Sequence, residues 1–105
     1  MSLIGRLFGR EERRIVELTP DEQVALAELL RFGEASGATL RTAVEARDVV
    51  RWEPPHTAMA GLLAKGLVEV SREDEGNTYY VATKLGQRLR GRLQDNPRST
   101  VEYYV

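Results

Sequence analysis

"MAGLLAKGLVEVSREDEGNTYYVATKLGQRL", residues 59–89, is the stretch of sequence that decides the fold. Met59, Leu62 and Leu63 have the spacing of one helical face, and Gly66 shortly after them suits a left-handed helix cap. The segments LVEVS and TYYVAT are rich in strand-forming residues and are separated by a short polar tract. The stretch therefore predicts the end of a helix, an antiparallel hairpin and the beginning of another helix.

The polar tract between the two predicted strands, REDEGN at residues 72–77, forms the tip of the hairpin. Gly76 and Asn77 can supply the positive φ angles of a tight hairpin turn. The three acids at residues 73–75 carry the wrong charge for contact with phosphate groups. The fold of this hairpin and its function are therefore separate questions.

A stripe of leucines follows the hairpin. In TKLGQRLRGRL, Leu85, Leu89 and Leu93 recur at every fourth position and predict one buried face of a last helix. Arg88 and Arg92 lie on the neighbouring stripe. These two arginines form either the solvated face of the helix or contacts to phosphate.

The tetrapeptide TPDE predicts the beginning of the first helix. Thr19 can cap the helix, Pro20 suits its first position, and Glu22 completes the capping-box pattern. We expect this helix to run to about Phe32 and to end at Gly33. The preceding RRIVEL is either a short strand or an extended arm.

Two more helices are predicted between the first helix and the hairpin. GEASGA, residues 33–38, suits a turn, and Thr39 is placed to cap the second helix. A third helix begins near Pro54, because this proline disfavours helical geometry at Glu53. The residues at helical spacing in the second helix are Leu40, Ala43, Val44 and Arg47.

One modest core is expected from these elements. Tyr79 and Tyr80 point to opposite faces of a strand, so we expect one in the core and one on the solvent side. Trp52 is expected to fill the gap between the second and third helices. The predicted core residues are Leu26, Leu29, Leu30, Val44, Leu62, Leu63, Val68, Leu85 and Leu89.

Composition excludes several classes of function for this 105-residue chain. It contains no cysteine and one histidine, so neither a thiolate metal site nor a nucleophile–base set can be assembled, and we expect no enzyme, no metal and no cofactor. The first ten residues are too short an apolar cluster to span a bilayer, and a cytoplasmic protein is expected. The net charge of −1 leaves only local basic patches, of which the strongest is residues 84–98, with five cations against Asp95.

The order helix, helix, helix, hairpin, helix resembles the winged helix-turn-helix domains of MarR- and PadR-like transcriptional regulators. The similarity covers residues 19–93 and rests mainly on a lysine-glycine-leucine-valine turn and a threonine-x-x-glycine step into the last helix. It implies an α+β, mainly helical fold with three helices, a two-stranded wing and a C-terminal helix. The positions that carry it are Leu62, Leu63, Lys65, Gly66, Leu67, Val68, Tyr80, Thr83 and Gly86. The predicted organisation is an N-terminal arm at 1–18, the winged-helix domain at 19–95 and a tail at 96–105.

The resemblance implies a regulator that binds double-stranded DNA through its third helix. The chain departs from the family pattern, because residues 54–64 contain none of the arginine, lysine, asparagine or glutamine side chains that read bases, and because the join before the third helix is long. The alternative is a winged-helix module that binds a protein through its acidic wing. The candidate DNA contacts are Arg41, His56, Thr57, Lys65, Arg88 and Arg92.

The segment STVEYYV, residues 99–105, is apolar and prone to form a strand. Its side chains alternate, with Val101, Tyr103 and Val105 on one face and Tyr104 on the other. We expect it to form the interface of a homodimer. The alternative is a third strand that covers the hairpin of its own domain.

Overall fold

Helices and strands alternate along the chain in the computed structural model, which describes residues 14–47 and 55–105, with the side chains of 55–57 left out. The predicted position of Trp52 lies outside these residues. Within them the fold is α+β, and "mainly helical" is too strong because five strands accompany the four helices. The elements are β1 (Ile15–Leu18), α1 (Pro20–Phe32), β2 (Glu34–Ser36), α2 (Gly37–Glu45), α3 (Pro55–Ala64), β3 (Val68–Asp74), β4 (Asn77–Ala82), α4 (Lys84–Gln87) and β5 (Val101–Tyr104).

The predicted capping box at the beginning of α1 is confirmed. The backbone N–H of Glu22 donates to the Thr19 hydroxyl at 3.3 Å, and the Thr19 N–H donates to the Glu22 carboxylate at 2.9 Å. The helix ends at Gly33, which has a φ of 88° and donates its N–H to the Leu29 carbonyl. Both ends of α1 are therefore set by local hydrogen bonds that the sequence pattern indicates.

The predicted turn at residues 33–38 is wrong, because the middle of this segment is strand β2. Glu34, Ala35 and Ser36 pair antiparallel with β4. The predicted cap at Thr39 is also wrong: Ser36 caps α2 and accepts a hydrogen bond from the Thr39 N–H at 3.1 Å. Serine at the end of a strand satisfies a free helical N–H and lets α2 begin directly at Gly37.

Strands β2, β4 and β3 form one antiparallel sheet, in that order. The predicted hairpin of β3 and β4 is confirmed, but its turn lies one residue earlier than expected. The positive φ angles belong to Glu75, at 52°, and Gly76, at 81°. Asp74 and Asn77 are the paired residues that flank them. This two-residue turn with both φ angles positive matches the right-handed twist of the strands.

The last predicted helix is much shorter than its leucine stripe suggests. Helix α4 ends at Gln87, and the chain continues to Arg92 in turns, in which the N–H groups of residues 88, 89, 90 and 92 bond to carbonyls three residues back. Gly91 has a φ of 82°, which a helix does not contain. The stripe still packs: Leu89 is fully buried, and Leu85 and Leu93 lie partly buried against the core.

The two ends of the described chain pair with each other. Strand β1 lies antiparallel to β5, with Val16 opposite Tyr103 and Leu18 opposite Val101. Of the two alternatives for RRIVEL, the structure shows the strand, whereas the alternative that the C-terminal segment covers the hairpin of its own domain is wrong. Val16, Leu18, Tyr103 and Val105 belong to the same core as α1. We call this pair of strands the terminal ribbon.

Gln23 attaches the terminal ribbon to α1. Its side chain is fully buried, and its amide nitrogen donates to the carbonyls of Leu18 at 2.9 Å and Ser99 at 3.0 Å. Its amide oxygen accepts a hydrogen bond from the Tyr103 hydroxyl at 3.0 Å. Because burial of an unpaired amide is costly, these three bonds make Gln23 the polar link between the helix and both strands.

The core lies between the three longer helices and one face of the sheet. Seven of the nine predicted core residues are buried, and Leu85 is partly buried. Leu63 is the error, because 38% of its surface is exposed. Leu62 is fully buried, and the adjacent Leu63 points about 100° away around the helix and lines the groove between α2, α3 and β4.

Candidate interaction surface

Helix α3 packs on α1 where the carboxylate of Glu22 contacts Gly61. The side chain of Glu22 lies so close to Gly61 that a Cβ atom at this position would overlap its carboxylate. One turn later, Lys65 donates from its ammonium group to the same carboxylate at 2.6 Å. The Lys65 ammonium also donates to the backbone carbonyl of Glu17 at 2.6 Å. Gly61 and Lys65 therefore let α1, α3 and β1 meet around one carboxylate.

An open groove with a volume of about 620 Å³ lies between α2, α3 and β4. Its floor is apolar and includes the buried side chains of Leu40, Val44 and Met59. Leu63 and Tyr80 line it from α3 and β4. A groove of this size, apolar and open to solvent, has the dimensions of a binding site for a few large side chains.

The apolar surface continues from the groove onto the sheet. Val70 of β3 lies directly opposite Tyr80 of β4, so their side chains share one face, and 47% of Val70 is exposed. On α3, the described side chains on the solvent side are Ala60, Leu63 and Ala64, none of which is polar. We call the surface formed by Ala60, Leu63, Val70 and Tyr80 the concave face.

The rim of the groove on the α2 side carries one ion pair. Arg41 donates to the carboxylate of Glu45 at 3.2 Å, one helical turn away, and both residues line the groove. The pair is exposed and neutral as a unit, so it contributes little net charge to the surface. Among the described residues, the α2 rim therefore offers a polar edge without an unpaired cation.

The outer face of the hairpin carries a second network of charges. Arg72 stacks over the ring of Tyr79 at 3.9 Å and donates to Glu34 and Asp74, each at 3.3 Å. The Glu34 carboxylate also accepts a hydrogen bond from the Ser71 hydroxyl at 2.5 Å. The Ser71 bond and the Arg72 guanidinium together hold the pKa of Glu34 below its usual value. Tyr79 is thus covered by Arg72, while Tyr80 packs against the core.

The hairpin as a whole is acidic. Its one cation, Arg72, is shared between two acids, and the remaining acids form no salt bridge within the described part of the chain. Strand β3 is an edge of the sheet, and its pairing shifts between Val70 and Arg72, where Ser71 bulges out. A bulge disrupts the pattern that an added strand would need. The carboxylates of the hairpin and of β2 beside it are Glu34, Glu69, Glu73, Asp74 and Glu75.

Three of the predicted DNA contacts bind partners within the chain. Arg41 pairs with Glu45, and Lys65 pairs with Glu22. Arg92 donates to the carbonyl of Tyr104 at 2.7 Å, so it covers the outer edge of β5. Lys65 and Arg92 therefore connect elements of the fold, and Arg41 pairs within its own helix, so the structure does not gather these three cations into a basic patch.

The other three predicted DNA contacts are Arg88, His56 and Thr57. Arg88 is exposed in the turn after α4 and makes no side-chain hydrogen bond or salt bridge to a described residue. His56 and Thr57 lie in the first turn of α3, but their side chains are outside the described residues. Arg88 is thus the one predicted contact whose side chain is described and points to solvent without a partner in that part of the chain.

Sequence reasoning missed the concave face because it placed Leu63 in the core. Part of the signal was present in the adjacent leucines at 62 and 63, whose side chains point about 100° apart around the helix, so that one of them can lie at the edge of the buried face. The small residues Ala60 and Ala64 on the same side as Leu63 also indicate an exposed face without the polar side chains that normally solvate a helix. The contribution of Tyr80 could not be read locally, because it depends on how the sheet packs.

Comparison with family models and with curated proteins finds no match to this chain. None of the helices in the described ranges combines the length and the apolar character that crossing a membrane requires. In residues 14–47 and 55–105, no three histidine or acidic side chains are grouped in a way that could hold a metal ion. The interpretation of the surface therefore depends on its own chemistry.

Proposed function

We propose that this chain is a winged-helix domain that binds another polypeptide through its concave face. The winged-helix assignment is supported by the order α1, β2, α2, α3, β3, β4 and by the three-stranded sheet β2-β4-β3. In that interpretation α3 is the recognition helix, and the hairpin of β3 and β4 is the wing. The predicted homodimer remains part of this proposal.

The observation that carries the proposal is the apolar character of the surface between the recognition helix and the wing. In the family that the sequence resembles, this surface is expected to meet DNA. Here Ala60, Leu63, Val70 and Tyr80 occupy it, and the nearest described cations are paired with carboxylates. Covering an apolar surface of this kind with another apolar surface removes it from water and is favourable. Contact with the charged phosphate groups of DNA gives no such stabilisation.

Lys65 illustrates why the neighbouring cations do not serve as phosphate contacts. The carboxylate of Glu22 is 7% exposed and accepts the Lys65 ammonium at 2.6 Å. If this ammonium moved to a phosphate, the Glu22 carboxylate would lose a charged hydrogen bond, at a cost of about 1.5–3 kcal/mol. A DNA complex that used Lys65 would therefore lose a stabilising contact inside the protein for the phosphate contact that it gained.

A DNA-binding regulator is the second candidate, supported by the family resemblance and by Arg88. This arginine is exposed and has no partner among the described residues, and it lies in the most basic part of the sequence. His56 and Thr57 lie in the first turn of α3. In helix-turn-helix proteins, the N-terminal residues of the recognition helix are the ones that contact bases. Arg88, His56 and Thr57 are the residues through which this candidate would act.

Selection of peptides from a random display library tests the proposed function directly. We expect the wild-type protein to retain peptides that the Leu63→Glu variant does not, because a carboxylate in the groove opposes apolar side chains. Phe32→Glu is the matched control, since Phe32 is 42% exposed on another helix and does not line the groove. Peptides lost equally in both variants, or retained by both, would overturn the assignment of the binding face.

A salt titration with labelled duplex DNA of arbitrary sequence separates the two candidates. Non-specific DNA-binding proteins typically bind with Kd values of about 10⁻⁴–10⁻⁶ M at physiological salt. We expect weaker binding than this range. A Kd within it, with a salt slope that Arg88→Ala flattens, would establish the DNA-binding candidate in place of the polypeptide-binding one.

A further inference from the structure

The wing brings acidic side chains to the edge of the concave face. Thr78 lies two residues from Tyr80 on β4, so both side chains are on the same face of the sheet, about 7 Å apart along the strand. Glu73 is the residue opposite Thr78 on β3, and its side chain therefore shares that face. The concave face thus ends, on the wing side, at a carboxylate.

The charge of this edge is not compensated within the described part of the chain. Glu73 and Glu75 are exposed and form no salt bridge to a described residue. Arg72, the one cation of the wing, is engaged on the opposite face by Glu34 and Asp74 and by the ring of Tyr79. At physiological ionic strength, charges within about 8 Å of each other are only partly screened. A ligand that lies in the groove and extends along β4 therefore meets negative potential.

We infer that the partner of the concave face is a basic, apolar polypeptide segment, an inference that rests on the proposed function. Two or more large apolar side chains fill the groove between Leu63 and Tyr80. Lysine or arginine side chains next to them in the segment lie beside Glu73 and near the turn that holds Glu75. Nucleic acids and acidic peptides are repelled by the same carboxylates, so the wing selects partners by charge as well as by shape.

An added strand at the edge of β3 is a less suitable mode of binding for this partner. The Ser71 bulge interrupts the edge between Val70 and Arg72, and the outer face of the strand is covered by the Arg72 network. Side chains inserted into the groove need neither a regular edge nor a free strand. The segment is therefore held by its side chains on the concave face.

The test uses the peptides that the wild-type protein retains and the Leu63→Glu variant does not. We expect these peptides to combine at least two large apolar residues with net positive charge, and their affinity to fall with added salt. The Glu73→Gln, Glu75→Gln double variant should bind them about 2- to 10-fold more weakly, as two rim charges of modest strength imply. Fluorescence anisotropy with labelled peptides measures the change.

The matched control is the Glu17→Gln, Glu102→Gln double variant, which removes the same charge from the terminal ribbon. It should leave peptide affinity unchanged, because neither residue lines the groove. If the retained peptides are neutral or acidic, or if both double variants weaken binding equally, the inferred partner chemistry is wrong while the polypeptide-binding function stands. If no peptide depends on Leu63, the proposed function itself fails.

Discussion

The ammonium group of Lys65 lies 2.6 Å from the carboxylate of Glu22, the residue that closes the capping box of α1. A lysine predicted to contact DNA therefore completes the beginning of a helix that is 43 residues away in sequence. Gly61 leaves the space in which the carboxylate lies. The same arrangement makes Lys65 part of the fold and removes a cation from the concave face.

Lys65→Met should destabilise the protein because it leaves the nearly buried carboxylate of Glu22 without its cation. We expect a loss of about 1–3 kcal/mol in the free energy of unfolding, measured by urea denaturation. Arg41→Met is the control, since the Arg41–Glu45 pair is exposed and such pairs contribute about 0.3–0.5 kcal/mol. Equal losses in the two variants would show that the Lys65 pair is no more than a surface contact.

Truncation of the two adjacent leucines of α3 should have different effects, on stability for Leu62 and on binding for Leu63. Leu62→Ala should cost about 2–5 kcal/mol in unfolding free energy, because Leu62 is fully buried and its removal leaves a cavity. Leu63→Ala should cost less than about 1 kcal/mol and should weaken binding of the selected peptides. A loss for Leu63→Ala as large as that for Leu62→Ala would mean that α3 is rotated relative to the structure.

Tyr103→Phe should destabilise the attachment of the terminal ribbon. The Tyr103 hydroxyl donates to the buried amide of Gln23, and without it the amide oxygen is unpaired, which costs about 1–3 kcal/mol. Tyr104→Phe is the matched control, because Tyr104 is 63% exposed on the opposite face of the same strand. Thermal unfolding of both variants gives the comparison, and a lower melting temperature for Tyr104→Phe alone would contradict it.

Protonation of Glu28 should lower the free energy of unfolding at acidic pH. Burial alone raises the pKa of Glu28, but hydrogen bonds from Arg31 and Arg47 outweigh it and hold the pKa below its ordinary value of 4.5. A lowered folded-state pKa stabilises the protein above about pH 4.5, and this contribution is lost as the pH falls through the folded-state pKa. Glu28→Gln should therefore lower stability at about pH 7 and reduce its decline below pH 4.5.

Urea midpoints at neutral and acidic pH measure this dependence. Glu102→Gln is the control, because Glu102 is exposed and makes no salt bridge to a described residue. The acid-induced decline should stay as large in this control as in the wild-type protein. An equally large decline in Glu28→Gln would show that the Arg31 and Arg47 contacts do not contribute to acid sensitivity.

The predicted homodimer should depend on the outer face of the terminal ribbon. Ile15 and Tyr104 are exposed cross-strand neighbours there. The two outer edges of the ribbon are each partly covered, by Lys65 at the Glu17 carbonyl and by Arg92 at the Tyr104 carbonyl. A second copy would therefore pack face to face and not by adding strands.

Light scattering of the purified chain tests this interface. Tyr104→Glu should convert a dimer to a monomer, whereas Val70→Glu, an equally polar change on the concave face, should leave the mass unchanged. A wild-type protein that is monomeric at tens of micromolar would exclude the homodimer. A dimer lost only in Val70→Glu would instead assign the second copy to the concave face.

Local signals in the sequence determined both ends of α1 and the end of α3. Thr19, Glu22 and Gly33 are recognisable because caps form between residues a few positions apart, so the chemistry is contained in a short window. The glycine at position 66, with a φ of 76°, and the hairpin are predicted for the same reason. Strand β5 was likewise predicted from the alternation of Val101, Tyr103 and Val105, although its partner was not.

Only the tertiary structure decided which of these elements meet. Strand β2 has too few residues to show a period, and it exists because β4 lies beside it. The choice between Leu62 and Leu63 depends on the rotation of α3, which the Glu22 carboxylate helps to set from another helix. Lys65 and Arg92 carry charge in any conformation, but their partners, Glu22 and the Tyr104 carbonyl, come near only after folding. A cation is free or engaged according to long-range contacts, and these are absent from any short window of sequence.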